Sequence, residues 1–222
     1  MPSCRSRRAP YACRAGYGDT ALRGGHGARP RWPSVRHGAP PLASTSVTDL
    51  LASTAALVAI PSESNAEAAL ADHVEQRLGG LGHLAVERVG DNVVARTDLA
   101  RGQRLVVAGH LDTVPVNDNG IPRIEGDVLW GLGSADMKGG LAIMLELAAA
   151  VPDPAVDVTW VFYAGEEVAA EHNGLRLLFE QRPDLVAGDA ALLGEPTAAA
   201  PEVGCQGTMR LRVTLVGERA HT

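Results

Sequence analysis

Two adjacent carboxylates, Glu166 and Glu167, follow Gly165 at the end of the apolar run Val158 to Ala164 (VTWVFYA). A strand end is rigid, and the loop leaving it can send neighbouring side chains to different places. One glutamate could hold a metal while the other moves a proton. Alone, such a pair also reads as a solvated acidic turn. Its company narrows the reading, because His110-Leu111-Asp112, Asp136 and Glu195 each follow an apolar run of their own.

In extended chain, alternate side chains share a side, so His110 and Asp112 face together while Leu111 faces the core. That spacing suits a metal-bound imidazole with a carboxylate beside it to fix the tautomer and raise basicity. A His–Asp surface pair is the alternative. Asp136 lies in GLGSADMKGG, residues 131–140. The glycines suggest a nucleotide loop, but the third glycine of GxGxxG is missing and no basic residue stands at the phosphate position. A carboxylate in that turn repels phosphate and attracts a cation. Glu195, in Gly194-Glu195-Pro196-Thr197, ends the strand after the Glu-Glu pair, with a capping or turn acid as the alternative. Hard oxygen ligands plus imidazole favour Zn²⁺, with Co²⁺ or Mn²⁺ as substitutes. Several carboxylates around so few histidines point to two metals about 3.5–4 Å apart, bridged by one Asp.

The elements that must position these groups follow from periodicity. Leu50, Leu51, Ala55, Leu57 and Val58 form a helical stripe stopped by Pro61. Ser64-Asn65-Ala66-Glu67 reads as a capping box opening a second helix that ends at Gly79-Gly80, with Leu70, Val74 and Leu78 facing a core. His73 and His83 read as structural. Strands are expected at 85–89 and 92–97, joined by Gly90-Asp91. A central strand is expected at 104–109 and buried strands at 158–164 and 190–194, with helices at 138–150 and 173–180. Residues 117–127 read as a polar loop. Strands alternating with helices of this length predict an α/β sheet covered on both faces. Met209 to Val216 (MRLRVTLV) alternates with period two, as a half-exposed strand opening a second domain would.

Composition sets bounds. The chain has 222 residues, with 26 acidic and 20 basic side chains and 45% hydrophobic residues. No apolar run reaches the roughly 18 residues of a membrane helix. Residues 1–46 hold eight arginines and one acid, Asp19, and read as disordered. Translation from an upstream start, with the natural one near Val47, is preferred there over a transit peptide or a nucleic-acid-binding arm. The acidic remainder argues against a nucleic-acid surface. The three cysteines form no CxxC and no even framework, which fits a reducing, cytoplasmic compartment. The expected division is therefore 1–46 extension, 47–206 catalytic domain, and 207–222 the start of a further domain.

Taken in order, GHLDTVPV (109–116), VLWGLGSADMKGG (128–140), AGEEV (164–168), GEPT (194–197) and GERAH (217–221) resemble the motifs of the dizinc aminoacylase and carboxypeptidase superfamily. The resemblance implies a mixed, mainly parallel sheet flanked by helices, followed by a truncated α+β lid or dimerisation domain. It implies hydrolysis of the amide of a small N-acyl amino acid by a homodimer, with no nucleic acid or membrane involved. Residue by residue, it implies that His110 and Glu195 hold one zinc, that Asp136 bridges both, and that Glu167 holds the second, with Co²⁺ as a possible substitute. Glu166 would be the general base, Asp112 would orient His110, and His221 would polarise the scissile carbonyl across a dimer. A cis peptide between Asp136 and Met137 is implied as well. Two departures are evident: Leu132 replaces a usual arginine, and the last zinc ligand, a downstream histidine, lies beyond Thr222. The chain then reads as an inactive fragment, with a non-catalytic metal-binding remnant as the alternative of another class.

Overall fold

The computed structural model describes residues 49–198, 200–203 and 213–214. The basic extension, His221, and all of the Met209–Val216 segment except the exposed Val213 and Thr214 lie outside the described residues.

The chain opens with α1 (Leu50–Val58), whose first amides at Leu51 and Ala52 are accepted by Asp49 Oδ1 at 3.0 and 3.1 Å. Such a cap is worth about 1 kcal/mol. Next come α2 (Ala68–Gly79), β1 (Ala85–Val89) and β2 (Asn92–Arg96), the strands turning at Gly90 with φ +60°. Beyond β3 (Arg104–His110), the segment read as a polar loop contains a small hairpin, β4 (Arg123–Glu125) and β5 (Val128–Trp130). Its short, exposed strands carry too little apolar alternation to betray it; Arg123 lies over the Trp130 ring, 5.7 Å from its centroid. A wide turn (Ser134–Lys138) leads into α3 (Gly139–Ala150), then β6 (Asp157–Tyr163), α4 (Gly174–Gln181), α5 (Pro183–Val186) and β7 (Ala190–Leu193).

The sheet order is β1-β2-β6-β3-β7. β1/β2 and β2/β6 pair antiparallel, and β3/β6 and β3/β7 pair parallel, so the sheet is mixed. Alternating residues of the inner strands go to opposite cores. Val93, Ala95, Val107, Trp160 and Phe162 pack with α1, α2 and α3. Val94, Val106, Ala108, Val161 and Tyr163 pack with Leu178 of α4 and Leu185 and Val186 of α5. Both faces are thus covered at the centre. The expectation of a buried strand at 190–194 is corrected: all four residues of β7 are exposed, Leu192 at 55% and Leu193 at 50%. Among the described residues β7 is an edge strand with β3 as its one partner, so apolar content alone does not bury it.

The capping-box reading is corrected too. α2 begins at Ala68, and Glu67 makes no side-chain cap bond. Ser64 Oγ instead donates to Asp112 Oδ2 at 2.8 Å, and Glu67 Oε1 accepts from the Gly165 amide at 3.1 Å. Tertiary partners outcompete the local ones.

At the opposite end of the sheet Asp157 fastens the β6 entry. Its carboxylate accepts from the Leu99 amide (2.9 Å), Thr97 Oγ1 (2.7 Å) and the Arg101 amide (2.9 Å), and Arg104 lies 3.8 Å away. Led by the Leu99 amide, these donors lower its pKa from 3.8 to about 2. A depressed folded-state pKa contributes stability that is present above about 4 and is lost as pH falls toward about 2. Asp157→Asn is therefore expected to lower the denaturant midpoint at pH 7 and to flatten its decline between pH 4 and pH 2. Urea titrations of both proteins across that window measure it.

Candidate metal centre

β6, β3 and β7 run parallel, so their carboxyl ends lie side by side, where α/β sheets place ligands. β3 ends on His110, paired in register with Tyr163 at the end of β6. Gly165-Glu166-Glu167 leaves β6, and Glu195 follows β7 across Gly194. Asp136 comes from the wide turn before α3.

Glycines make that convergence possible. A Cβ on Gly140 would lie 2.7 Å from the Gly194 carbonyl oxygen, and one on Gly109 would lie 2.5 Å from Met137 Cε. Met137, fully buried, fills the space those glycines leave, and its Sδ lies 3.1 Å from the His110 amide. The Asp136–Met137 peptide is cis. Lys138, buried and the chain's one lysine, donates from Nζ to the Ile60 carbonyl at 2.7 Å, tying the turn to the end of α1. Burial lowers its pKa to about 8.

His110 is 1% exposed and its two nitrogens have different neighbours. Nδ1 lies 2.9 Å from the Asp112 backbone carbonyl, and 3.5 Å from the Asp112 carboxylate. A carbonyl has no proton to give, so Nδ1–H is the donor and the neutral ring keeps its lone pair on Nε2. Nε2 faces Asp136 Oδ1 at 3.0 Å and Glu195 Oε2 at 3.9 Å. Atoms of His110, Asp136 and Glu195 all lie within 4.8 Å of one another, and a second such group joins His110 to Glu166 and Glu167. His110 is common to both.

Asp112 is 1% exposed, and its carboxylate serves mainly the loop opposite. Oδ1 accepts from the Glu166 amide at 2.9 Å, and Oδ2 from the Glu167 amide at 3.0 Å and from Ser64. Burial opposes its charge, but His110, these two amides and Ser64 prevail and hold the carboxyl at about 2. Its nearer contact with the imidazole is through its backbone oxygen, a relation that side-chain spacing alone does not reveal.

The electrostatics are those of a site short of positive charge. Burial raises the pKa of Glu167, and the negative charges of Asp136 and Glu166 add to the effect. Burial likewise raises Glu195; His110 opposes, while Asp136, Glu166 and Glu167 reinforce. Burial disfavours a charged His110, but hydrogen bonds to Asp112 and Asp136 and the charge of Glu195 outweigh it, carrying the imidazole to about 9. Tyr163, edge-on to His110 with centroids 6.2 Å apart, is pushed above its ordinary value by burial and the surrounding acids. A proton on His110 supplies the charge that a divalent cation would supply better. The donor set, one imidazole nitrogen and several carboxylate oxygens, suits zinc.

Sequence reading named six of these residues and missed their supports: Ser64, Glu67, Asn92 and Met137. Met137 stood inside a quoted motif. The partners of Ser64 and Glu67 lie 48 and 98 positions away, beyond any local signal.

Comparison with known proteins gives a coherent picture. The model of a family described as peptidase family M20/M25/M40 matches residues 106–216. A provisionally named succinyl-diaminopimelate desuccinylase, DapE, of Mycobacterium tuberculosis is 49% identical over 170 residues, covering 76% of this chain and 48% of that protein. A succinyl-diaminopimelate desuccinylase of Corynebacterium glutamicum is 42% identical over 179 residues, covering 78% and 48%. Among solved structures, an M20 family metallo-carboxypeptidase from Sulfolobus solfataricus superposes with a TM-score of 0.56 at 20% identity, over 66% of this chain and 37% of the other. A tripeptidase from Staphylococcus aureus gives 0.54 at 26%, over 65% and 42%. The chain spans about half the length of the curated relatives it matches.

Proposed function

The chain belongs to peptidase family M20/M25/M40, and from that premise we propose that it carries the metal centre of a zinc-dependent amide hydrolase. Its substrate on this reading is N-succinyl-LL-2,6-diaminopimelate, cleaved with water to LL-2,6-diaminopimelate and succinate. The observation that carries the proposal is the convergence of three parallel strand ends on His110 Nε2, with Asp136 and Glu195 facing it and Glu166 and Glu167 alongside. The choice of acyl group is supported by the names of the Mycobacterium and Corynebacterium relatives.

His110, Asp136 and Glu195 would hold one ion, and Glu167, with Asp136 shared between the two, would hold the other. When bound, divalent ions supply Lewis acidity toward a carbonyl oxygen and make water more acidic. Glu166 is exposed at the rim, where a carboxylate can take a proton from attacking water. As the amide C–N bond breaks, the same carboxyl returns that proton to the leaving amine. Asp112 holds the backbone of both glutamates, so base and ligand keep a fixed separation. His221 would polarise the scissile carbonyl; it lies outside the described residues. A homodimer built through a lid domain, Co²⁺ as a substitute metal, a cytoplasmic location and the 1–46, 47–206 and 207–222 division belong to the same reading. Sequence resemblance, composition and cysteine usage support them.

Incubating the zinc-loaded full-length protein that carries this chain with N-succinyl-LL-2,6-diaminopimelate and, separately, with N-acetylornithine tests the proposal. Succinate release at a kcat/KM at least about 100-fold above that for the acetyl substrate is expected, because a site selective for a succinyl group would leave the partners of its second carboxylate unpaired with an acetyl group. Preference for the acetyl substrate would make the protein a different deacylase. Tight zinc binding without turnover of either would favour a non-catalytic metal-binding chain.

A further inference from the structure

β6 ends at Tyr163, and beyond it no sheet partner among the described residues receives the next four amides. Each is taken by a side chain. The Ala164 amide donates to Asn92 Oδ1 at 3.0 Å and the Gly165 amide to Glu67 Oε1 at 3.1 Å. The Glu166 and Glu167 amides donate to the two oxygens of Asp112 at 2.9 and 3.0 Å. All three acceptors are buried, Asn92 at 1%, Glu67 at 2% and Asp112 at 1% exposure. Asn92 is fixed in turn, its Nδ2 donating to the Val89 carbonyl at 2.8 Å. Gly174 is compact enough to let Asn92 in, since a Cβ there would collide with Asn92 Oδ1 and crowd the Ala164 backbone.

Gly165 is the pivot of this frame. Its φ of +69° is a left-handed conformation that glycine adopts freely, and a Cβ there would lie 2.5 Å from the His172 carbonyl oxygen. A residue with so little steric preference needs something else to fix its orientation. Its amide is buried, and an unpaired buried donor is costly, so whatever accepts from it decides how the chain turns. The acceptor is a carboxylate, which makes the bond charge-assisted and short-range in its geometric demands. The glutamate pair begins one residue later.

We propose that Glu67 is a positioning residue: through the Gly165 amide, its carboxylate sets the direction in which Glu166 and Glu167 leave the sheet. Glu67 touches neither metal nor substrate in this scheme. Asp112 fixes the two glutamate amides and Glu67 fixes the hinge before them. The chemical consequence, correct placement of the Glu167 ligand, rests on the metal-centre reading above.

Two measurements on the full-length protein that carries this chain test it, with Glu67→Ala, Glu67→Gln and, as a control for general loosening, Leu78→Ala, a fully buried position at the far end of α2. The first is amide hydrogen exchange in the metal-free state. In Glu67→Ala the Gly165 amide is expected to exchange at least about tenfold faster relative to the Val107 amide of β3. Glu67→Gln retains an acceptor oxygen and is expected to stay within about threefold of the parent, and Leu78→Ala to leave the ratio unchanged. The second is Co²⁺ titration followed by visible absorption. Glu67→Ala is expected to weaken one of two binding steps about tenfold and spare the other, as supporting residues do when they act through a ligand. An unchanged exchange ratio in Glu67→Ala, no rescue by Gln, or an equal effect from Leu78→Ala overturns the role of Glu67. Equal weakening of both Co²⁺ steps overturns it as well. If the parent binds no Co²⁺, the metal-centre reading fails, while the exchange ratio still decides whether Glu67 governs the turn.

Discussion

Replacing His110 with alanine is expected to abolish binding of one of the two metals, the largest single effect on metal content that the geometry predicts. The His110 Nδ1–H is committed to the Asp112 carbonyl, so the ring has one lone pair to give, on Nε2, which faces Asp136 and Glu195. It is also the only nitrogen donor in either group, so the variant leaves an all-oxygen set that suits zinc poorly. The ring occupies a buried position, at 1% exposure. Removing a supporting residue typically costs 10–100-fold in metal affinity, so loss of a direct ligand is expected to exceed about 100-fold at the ion it holds. Metal per subunit of the full-length protein after dialysis, read by elemental analysis, should fall from two to one. A variant that retained both ions would show that the carboxylates alone make the site.

Glu166→Gln is expected to separate chemistry from metal binding. If Glu166 takes and returns the proton, an amide in its place cannot, and kcat should fall by about 10²–10⁴ with KM changed little. The metal content should stay at two. The geometry makes this a sharp test, because a Glu166 oxygen lies close enough to His110 and Glu167 to serve as a ligand instead. Loss of one metal from Glu166→Gln, together with full loss of activity, would reassign it from base to ligand and leave the proton transfer to another group. Glu166→Asp refines the answer: it keeps the carboxyl but withdraws it by one methylene, so a base loses rate in proportion to its misplacement.

Much of this arrangement was legible in local pattern. Buried strands such as β6 reveal themselves as unbroken apolar runs, and α2 by Leu70, Val74 and Leu78 at four-residue spacing. The acids and the histidine stood out because each follows such a run, and the ends of parallel strands gather on one side of a sheet. The edge position of β7 and the β4–β5 hairpin did not stand out. The composition of four apolar residues is the same whether one neighbour or two will pair with them, and three-residue strands are too short to show alternation.

The site's supports were illegible for a different reason. Ser64 and Glu67 have the spacing of a helix cap, and in an isolated segment that is what they would make. In the folded chain Ser64 bonds Asp112 and Glu67 bonds Gly165, because the buried carboxylate and the buried amide there have greater need of partners than a helix end open to water. The sequence by itself determined which acids and which histidine stand at strand ends and which segments form the sheet, since both depend on residue type and short-range periodicity. Only the tertiary structure decided that the Asp112 backbone oxygen meets His110, and that Asn92, Glu67 and Asp112 divide four successive amides among them. Those choices depend on which donors and acceptors are left buried once the chain closes, a property of the whole packing and of no segment alone.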